Sequence, residues 1–443
     1  MIEICTVGGY SEVGQNMTAI RYKDEVVILD MGLELDSYIR YKGEEEVEKL
    51  SKKELINIGA IPDDNSIKDW KNNVVAIIPS HGHLDHIGAI PFMAKIYDCP
   101  IICSPYTAEI IKRILEDKRI KLPNQINSLD VNGTTKISDN ITIEFVSMTH
   151  SIPDTVMVVI HTPEEVVIYG NDFKLDDTPT LGQPPNYKRL KEIGDNNPKL
   201  LILDSLYSWK EGKTPSEKKA RDMLEEALVS KINEDKGIII TTFSSHIARL
   251  RSIVEFGKAM GRKVVFLGRS MAKYCYAAED IGIVNFTDDV KICRYKRQVQ
   301  KELNKIDKEG RENYIIVATG HQGEPEAILS RITNGEFGYE IFPEDNIIFS
   351  CSVIPSSQSI KNRKELEEKL QKKGINVLKG LHASGHGCRE DHKKVIELLR
   401  PQHIIPAHGD KEKTTGLLDL AVKIGYEKEK IHIMENGMKL NIE

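Results

Sequence analysis

Residues 74–91 read VVAIIPSHGHLDHIGAIP, and the rest of the chain is best understood outward from them. The apolar run from Val74 to Ile78 has the length and β-branched content of a buried strand. It stops at Pro79, after which His81, His83, Asp85 and His86 follow in the pattern H-x-H-x-D-H. Imidazole and carboxylate groups are donors for zinc and related ions. Residues two apart on an extended loop face the same way, so His81 and His83 can share one ion, while Asp85 and His86 in the following turn reach a second. A single His at a strand end is usually a hydrogen-bonded structural residue, but four donor side chains in one loop ask for another explanation.

Two ions need more donors than these four, and other strand ends supply them. ITIEFVSMTH ends at His150, EEVVIYGNDF carries Asp172 just past its strand, and HIIPAHGD carries His408. The expected assignment is His81, His83 and His150 to the first metal, Asp85, His86 and His408 to the second, and Asp172 as the bridging carboxylate. With no thiolate in the set, two Zn2+ per chain are expected, with Mn2+ the substitute. Such a pair activates water near neutral pH and stabilises both the attacking and leaving oxygens of an in-line displacement at phosphorus. Phosphodiester hydrolysis is therefore the chemistry that fits, with Asp85 placed to orient the attacking water or take its proton.

Composition narrows the partners. The 443 residues include 61 basic and 67 acidic side chains, a net charge of −6, which excludes a protein that coats nucleic acid or a membrane by charge alone. Excess Lys and Arg in residues 291–311 and 361–380 leaves room for a local basic groove or for ordinary solvated helix faces. The opening MIEICTVGGY reads as a strand rather than a signal peptide, and no apolar run approaches the roughly 18 residues of a membrane span. The expected location is cytoplasmic. Seven scattered cysteines without a C-x-x-C pair fit reduced packing residues.

The length favours two domains, or one domain carrying a large insertion. MIEICTV, MTAIRY and EVVILD read as a β-meander with the turn GGYSEVGQN after its first strand, followed by a charge-dense stretch from residue 40 to 71. KLLILDSLY is a further strand, ending at Asp204. Beyond it GIIITTFSSHIARL, RKVVFLGRS, NYIIVATGHQGEPEAI and NIIFSCSVIPSS alternate apolar runs with small-residue turns and helical patterns, the mark of a parallel α/β layer. The earlier style returns at residue 376, with NVLKGLHASGHG, a helix at REDHKKVIELLR and the strand of HIIPAHGD. The expected division is 1–206, 207–375 and 376–443. The GHQGEP turn lacks the Lys-Ser/Thr ending of a nucleotide-binding loop, so no nucleotide cofactor is expected.

HGHLDH, His150 and the Asp172 of GNDF resemble the successive motifs of the metallo-β-lactamase superfamily, whose fold is an αββα four-layer sandwich with its metals at one edge of the sheets. Asp204 after LLIL, His386 in HASGHG and His408 in IPAHGD resemble the β-CASP branch, so residues 207–375 correspond to its inserted parallel α/β domain, which lies over the active site as a lid. A His at the last motif is similar to RNA-acting members, where DNA-repair relatives such as Artemis commonly carry Val. GGYSEVGQNM resembles ribonuclease J of the archaeal type, whereas polyadenylation-factor relatives tend to carry Gly-Arg-Ser at Gly14, Gln15 and Asn16. After His408 the chain runs to Glu443, so a C-terminal appendage like that of bacterial ribonuclease J is not expected.

This resemblance implies a mixed α/β protein that hydrolyses single-stranded RNA from its 5′ end, prefers a 5′-monophosphate, and has room for endonuclease action and for a homodimer. It implies that His386 donates a hydrogen bond or charge to the scissile phosphate and that Asp204 orients a metal-binding histidine, with His382 contacting RNA or supporting His386. A 5′-phosphate pocket calls for hydroxyls, cations and backbone N–H groups. Ser244, Ser245 and His246, at a helix start, and Ser384 with Gly385 are the candidates. A helix-capping role is the plainer alternative for the first two serines. Three other readings compete: a polyadenylation-factor-like endoribonuclease, a small-molecule metallohydrolase such as a thioesterase, and an inactive RNA-binding scaffold. The GQN stretch speaks against the first, the long insertion against the second and the intact donor set against the third.

Overall fold

A computed structural model describes the chain except residues 43–49, 233–234 and 355, and gives only the backbone of residues 40–42. Part of the charge-dense stretch and the proline of NIIFSCSVIPSS thus lie outside the described residues. The remainder of that stretch forms the short helix Lys52–Asn57, opened by a Ser51–Glu54 capping box, and the 3-10 helix Asp64–Asn73.

The chain packs as two units, residues 1–177, 182–214 and 385–443 in the first and residues 178–181 and 215–384 in the second. In the first unit the strands are β1 (Ile2–Gly8), β2 (Met17–Tyr22), β3 (Glu25–Leu29), β4 (Val74–Ile78), β5 (Ile101–Cys103), β6 (Ile126–Ser128), β7 (Thr134–Lys136), β8 (Thr142–Ser147), β9 (Val156–His161), β10 (Val166–Gly170) and β11 (Leu200–Asp204). In the second they are β12 (Ile238–Thr241), β13 (Lys263–Leu267), β14 (Val290–Cys293), β15 (Tyr314–Ala318), β16 (Asn346–Phe349) and β17 (Asn376–Leu378), and the first resumes with β18 (His403–Ala407) and β19 (Met438–Ile442).

The first unit contains two mixed sheets, β19-β1-β2-β3-β4-β5-β6 and β18-β11-β10-β9-β8-β7. Alternation along each strand determines which face meets which neighbour. Ile20 and Tyr22 of β2, Val27 and Leu29 of β3, and Ala76 and Ile78 of β4 share one core with Phe145 of β8, Val167 and Tyr169 of β10, and Leu200 and Ile202 of β11. The intervening residues of the second sheet, Ile168, Leu201 and Leu203, pack instead with Leu190, Ile193, Val395, Leu399 and Leu420 from the helices Tyr187–Asp195, Arg389–Leu399 and Lys411–Lys423. Because β11 is buried on both faces, it reads as an unbroken apolar run rather than an alternating one. The helix Pro105–Lys118 covers β5 and β6 of the first sheet. The layers are those of the αββα sandwich.

Five strands deliver their following loops to one rim. β18, β11 and β10 are mutually parallel, and β8 runs with them because β9 is antiparallel to both β8 and β10. The rim therefore receives His408, Asp204, Asp172 and His150, and β4 of the facing sheet leads into His81. Several strands escaped the sequence reading: β5, β6, β7, β9 and β14, and two more that matter for the sheet edges. β19 adds itself antiparallel to β1 and extends the meander at its edge, and the short β17 pairs with β16 in the second unit.

The second unit is an all-parallel six-stranded sheet, β14-β13-β15-β12-β16-β17. Its strands are aliphatic on both faces, and one face packs Ile239, Val265, Ile316 and Ile347 against Leu303, Ile306 and Leu366. In the first turn of the helix Ile247–Ala259, Arg249 is fully buried and directs its guanidinium at Glu217 (2.6 and 2.8 Å), the Ser350 carbonyl and hydroxyl (2.9 and 2.6 Å) and the Leu381 carbonyl (3.1 Å). Burial would raise the pKa of Glu217, but His246 and Arg249 outweigh it and hold the carboxyl well below its ordinary range. Truncating one member of such a pair leaves an uncompensated buried charge. Arg249→Met should lower the unfolding free energy by about 3–5 kcal/mol, read in denaturant titration of the whole protein. A loss below about 1 kcal/mol would mean that the pair behaves like a solvated one.

Candidate metal centre and active site

Three histidine nitrogens converge first. His83 Nδ1 lies 3.1 Å from both His81 Nε2 and His150 Nε2, and Asp172 Oδ2 stands 3.7 and 3.6 Å from the latter two. A second group adjoins it. His86 Nε2 is 3.3 Å from Asp172 Oδ2 and 3.6 Å from Asp85 Oδ2, while His408 Nε2 is 3.7 Å from Asp172 Oδ1 and 3.9 Å from Asp85 Oδ2. Within each group the donor atoms all lie within 4.8 Å of one another, and Asp172 belongs to both.

The outer nitrogens of these rings are engaged elsewhere, which decides which nitrogen faces inward. His150 Nδ1 donates to the Gly385 carbonyl at 2.6 Å, and His408 Nδ1 to Asn16 Oδ1 at 3.0 Å. His86 Nδ1 donates to Asp30 Oδ2 at 2.7 Å. His81 Nδ1 lies 3.0 Å from the Ser80 hydroxyl, which itself donates to Asp30 Oδ2. A metal-binding imidazole needs this arrangement, with the remote N–H held and the near lone pair free for the ion.

The donor set fits divalent cations. Burial, then repulsion from neighbouring histidines, keeps His81 and His150 well below the ordinary imidazole range, and burial lowers His83 to about 4. These three rings are thus neutral and ligand-ready. Buried Asp172 Oδ1 accepts no hydrogen bond, an orphan oxygen that would be costly without a cation. Asp172 and His408 both adopt left-handed backbone (φ 52° and 56°), a conformation uncommon for non-glycine residues but one that Asp and His enter more readily than most.

A third group adjoins the other two. His386 Nδ1 is 2.9 Å from Asp204 Oδ2, so Asp204 orients His386 rather than one of the expected metal-binding histidines, and His386 Nε2 faces Asp172 Oδ2 at 3.8 Å. Burial opposes protonation of His386, but Asp172 and Asp204 outweigh it and raise the pKa to about 9. Asp204 is fixed in turn: its Oδ1 accepts from Leu206 N (2.8 Å), and its carbonyl lies 2.8 Å from His392 Nε2.

The proposed phosphate-binding residues divide between the units. Ser244, Ser245, His246, His382 and Ser384 belong to the second, and Gly385 to the first. Ser244 Oγ is 3.0 Å from Ser270 Oγ, and His246 Nε2 is 3.3 Å from Glu217 Oε2. Neither serine caps the helix Ile247–Ala259, whose N-cap position is held by His246 without a side-chain cap bond. His382 comes within 6.2 Å, between ring centroids, of Phe243. Gly385 has a part the sequence did not suggest. Its carbonyl orients His150, and a Cβ there would lie 2.7 Å from His150 Cε1.

Sequence reasoning also missed a supporting layer. Asp30 is fully buried and accepts from Ser80 N (2.7 Å), Ser80 Oγ (3.0 Å), His86 Nδ1 (2.7 Å) and Tyr169 OH (2.8 Å). Asn16 Nδ2 donates to the Asp85 carbonyl at 3.1 Å, and its Oδ1 accepts from Asn171 Nδ2 at 3.0 Å. The available signal was positional: Asp30 ends its apolar run as Asp204 ends LLIL.

This sandwich, with histidine and carboxylate donors gathered on its rim, defines a metallo-hydrolase of the β-lactamase superfamily. Residues 62–187 match the "Beta-lactamase superfamily domain", residues 235–365 "Ribonuclease J, beta-CASP domain" and residues 375–434 "Zn-dependent metallo-hydrolase RNA specificity domain". The chain is 43% identical to ribonuclease J of Methanocaldococcus jannaschii, covering 100% of this chain and 99% of that one. It is 44% identical to ribonuclease J of Pyrococcus abyssi (100% and 97%) and 32% to ribonuclease J 1 of Streptococcus pyogenes (98% and 73%). A solved protein of unknown function from Enterococcus faecalis shares the fold at 18% identity, with a TM-score of 0.66 over 99% of both chains. The chain belongs to the ribonuclease J family.

Asp30→Asn tests the supporting layer. An amide cannot accept from all four donors that Asp30 now serves, so His86 loses its fixed orientation. Affinity for the bound ion should fall about 10–100-fold, measured by competition with a chromophoric chelator. Unchanged affinity would remove Asp30 from the site.

Proposed function

We propose that the protein is a metal-dependent ribonuclease that degrades single-stranded RNA 5′ to 3′ with preference for a 5′-monophosphate. The observation that carries this reading is the convergence of His81, His83, Asp85, His86, His150 and His408 on Asp172, beside a His386 held by Asp204, in a chain of the ribonuclease J family. Two zinc ions per chain, or manganese in their place, would supply Lewis-acid activation of water and charge stabilisation at phosphorus.

The protein's own groups account for the rest. His81, His83 and His150 would hold one ion, Asp85, His86 and His408 the other, and Asp172 would bridge them. Asp85 is partly open to solvent where Asp172 is sealed, so Asp85 is the carboxylate that can take the proton of the attacking water. His386 donates from Nε2 to the scissile phosphate where negative charge develops, and Asp204 fixes the tautomer and direction of that donor. Asp204→Asn should leave metal content intact and lower kcat by about 10–100-fold, the usual cost of losing an orienting partner.

For the terminal phosphate we propose Ser244, Ser245, His246, His382, Ser384 and Gly385. The inserted segment, expected at 207–375 from the sequence and packing as residues 178–181 and 215–384, is proposed as a folding domain of its own that interrupts the metal-bearing domain, with the loop 207–214 on the metal-bearing side and β17 on the inserted side. Seven unpaired, buried cysteines are compatible with a reducing, cytoplasmic setting, and among the described residues no helix is long and apolar enough to cross a membrane.

The test uses one RNA labelled at its 5′ end, carrying a monophosphate or a triphosphate, with zinc or manganese, and the wild-type protein beside His83→Ala. Immediate release of labelled mononucleotide, faster from the monophosphate, abolished in the variant and by chelator, is the expected result. Internal fragments indifferent to the 5′ end would instead establish an endoribonuclease. No cleavage of RNA at all would sink the reading.

A further inference from the structure

The loop of residues 205–214, SLYSWKEGKT, leaves β11 directly after Asp204, and the mechanism above uses none of its side chains. Trp209 within it is 54% exposed and is the only exposed large aromatic among the described residues of the first unit, whereas the chain's other tryptophan, Trp70, is 2% exposed. Its indole N–H donates to the Leu206 carbonyl at 3.1 Å, so the ring is oriented rather than loose and presents its face to solvent.

The loop is fastened on two sides. Ser208 Oγ reaches the Ser205 and Lys413 carbonyls at 3.0 and 3.3 Å, and Gly416 packs so closely that a Cβ there would lie 2.8 Å from Trp209 Cβ. Arg389 N and Glu390 N, at the start of the helix Arg389–Leu399, donate to the Lys210 and Gly212 carbonyls at 2.8 and 3.1 Å. Thr214 Oγ1 donates to the His386 carbonyl at 2.8 Å. A large apolar ring has thus been held out in water by a rigid frame.

The same loop faces the reacting side of the site. Tyr207 meets His386 edge to face, ring centroids 6.0 Å apart and planes at 86°, and Lys210 Nζ stands 5.6 Å from the Tyr207 ring. Two residues of chain span at most about 7 Å, which keeps the Trp209 backbone within about one nucleotide's length of the Tyr207 backbone. An exposed aromatic face joined to a lysine is the combination by which proteins hold unpaired nucleotides, the ring stacking a base and the cation meeting a phosphate.

We propose that Trp209 and Lys210 form a nucleotide-binding subsite, in which one unpaired base of single-stranded RNA stacks on the indole and an adjoining phosphate meets the lysine. The subsite rests on the ribonuclease reading and adds a specificity element to it: a base held in a duplex cannot reach the indole. Because stacking is sequence-tolerant, the subsite selects single strands rather than a particular base.

Two measurements test it on the full chain, the first with metal bound and the second in a variant lacking one metal-binding histidine. In steady-state cleavage of single-stranded RNA, Trp209→Ala should raise KM about tenfold, the loss of one base stack, with kcat changed less than about twofold, and Trp209→Phe should restore most of the KM. In a His83→Ala background, which prevents turnover, titration with a 5′-phosphorylated oligoadenylate should quench tryptophan emission. The quench should vanish in His83→Ala/Trp209→Phe, where only Trp70 emits. An RNA-cleaving wild type whose KM is unmoved by Trp209→Ala, or a quench that persists without Trp209, would overturn the subsite while leaving the ribonuclease reading intact. A wild type that cleaves a chromogenic phosphodiester but neither binds nor cleaves RNA would overturn both.

Discussion

The Asp172 carboxylate faces five imidazole Nε2 atoms, those of His81, His86, His150, His386 and His408, at 3.3 to 3.8 Å. Nearly all of this is hidden from solvent. His386 carries its proton there, but the lone pairs of the neutral His81 and His150 rings crowded against the carboxylate repel it unless a cation lies among them, and a buried carboxylate oxygen with no hydrogen bond is costly on its own. The rim therefore carries a repulsion that its own histidines offset only in part, and divalent ions are the species whose charge and ligand preference cancel the rest. Folding and metal binding are linked for that reason: groups unfavourable together in the empty protein are favourable in the loaded one.

Five separate segments must arrive together for this to work, and the sheet geometry is what brings them. Parallel pairing of β10, β11 and β18 aligns Asp172, Asp204 and His408 along one edge, because equivalent positions on parallel strands end at the same level. The inter-sheet core of Leu29, Ile78, Val167, Tyr169 and Ile202 then presses β3 and β4 onto that edge. Burying each of these side chains contributes about 1.5–3 kcal/mol, which outweighs the local cost of left-handed backbone at Asp30, Asp172 and His408. Strain sits at the loops, and packing beneath the loops holds it.

How much of this could be read from residues alone depended on whether a feature was local. H-x-H-x-D-H was legible because four donors share one loop, and His150, Asp172 and His408 followed once that loop demanded partners at strand ends. The alternation of apolar runs and helices after Asp204 was legible for the same reason. Asp30 and Asn16 were not: each is one residue in an ordinary turn, and its importance appears only when a strand pairing sets it against His86 or His408. Gly385 was weighed for its backbone N–H, yet the group in use is its carbonyl, directed at His150. β19 was invisible because MKLNI is half polar and its partner β1 lies at the opposite end of the chain.

The Asp204 branch carries the argument from structure to chemistry. Its carboxylate holds His386, its carbonyl meets His392, and the residues immediately after it form the fastened loop that bears Tyr207 and Trp209. His392 also reaches the Cys388 carbonyl at 2.9 Å within its own helix, so the helix Arg389–Leu399 is tied to the end of β11 by a side chain as well as by the loop. Asp391 Oδ2 adds bonds to Thr214 N and Cys388 N at 2.8 and 2.9 Å. His386 lies between these ties, which makes its direction a property of two strands' ends and one helix start rather than of a free turn. A histidine so constrained does not have to be reorganised when charge develops on a phosphate in front of it, and in a site from which water is largely excluded a donor already in place is worth more than one that must move.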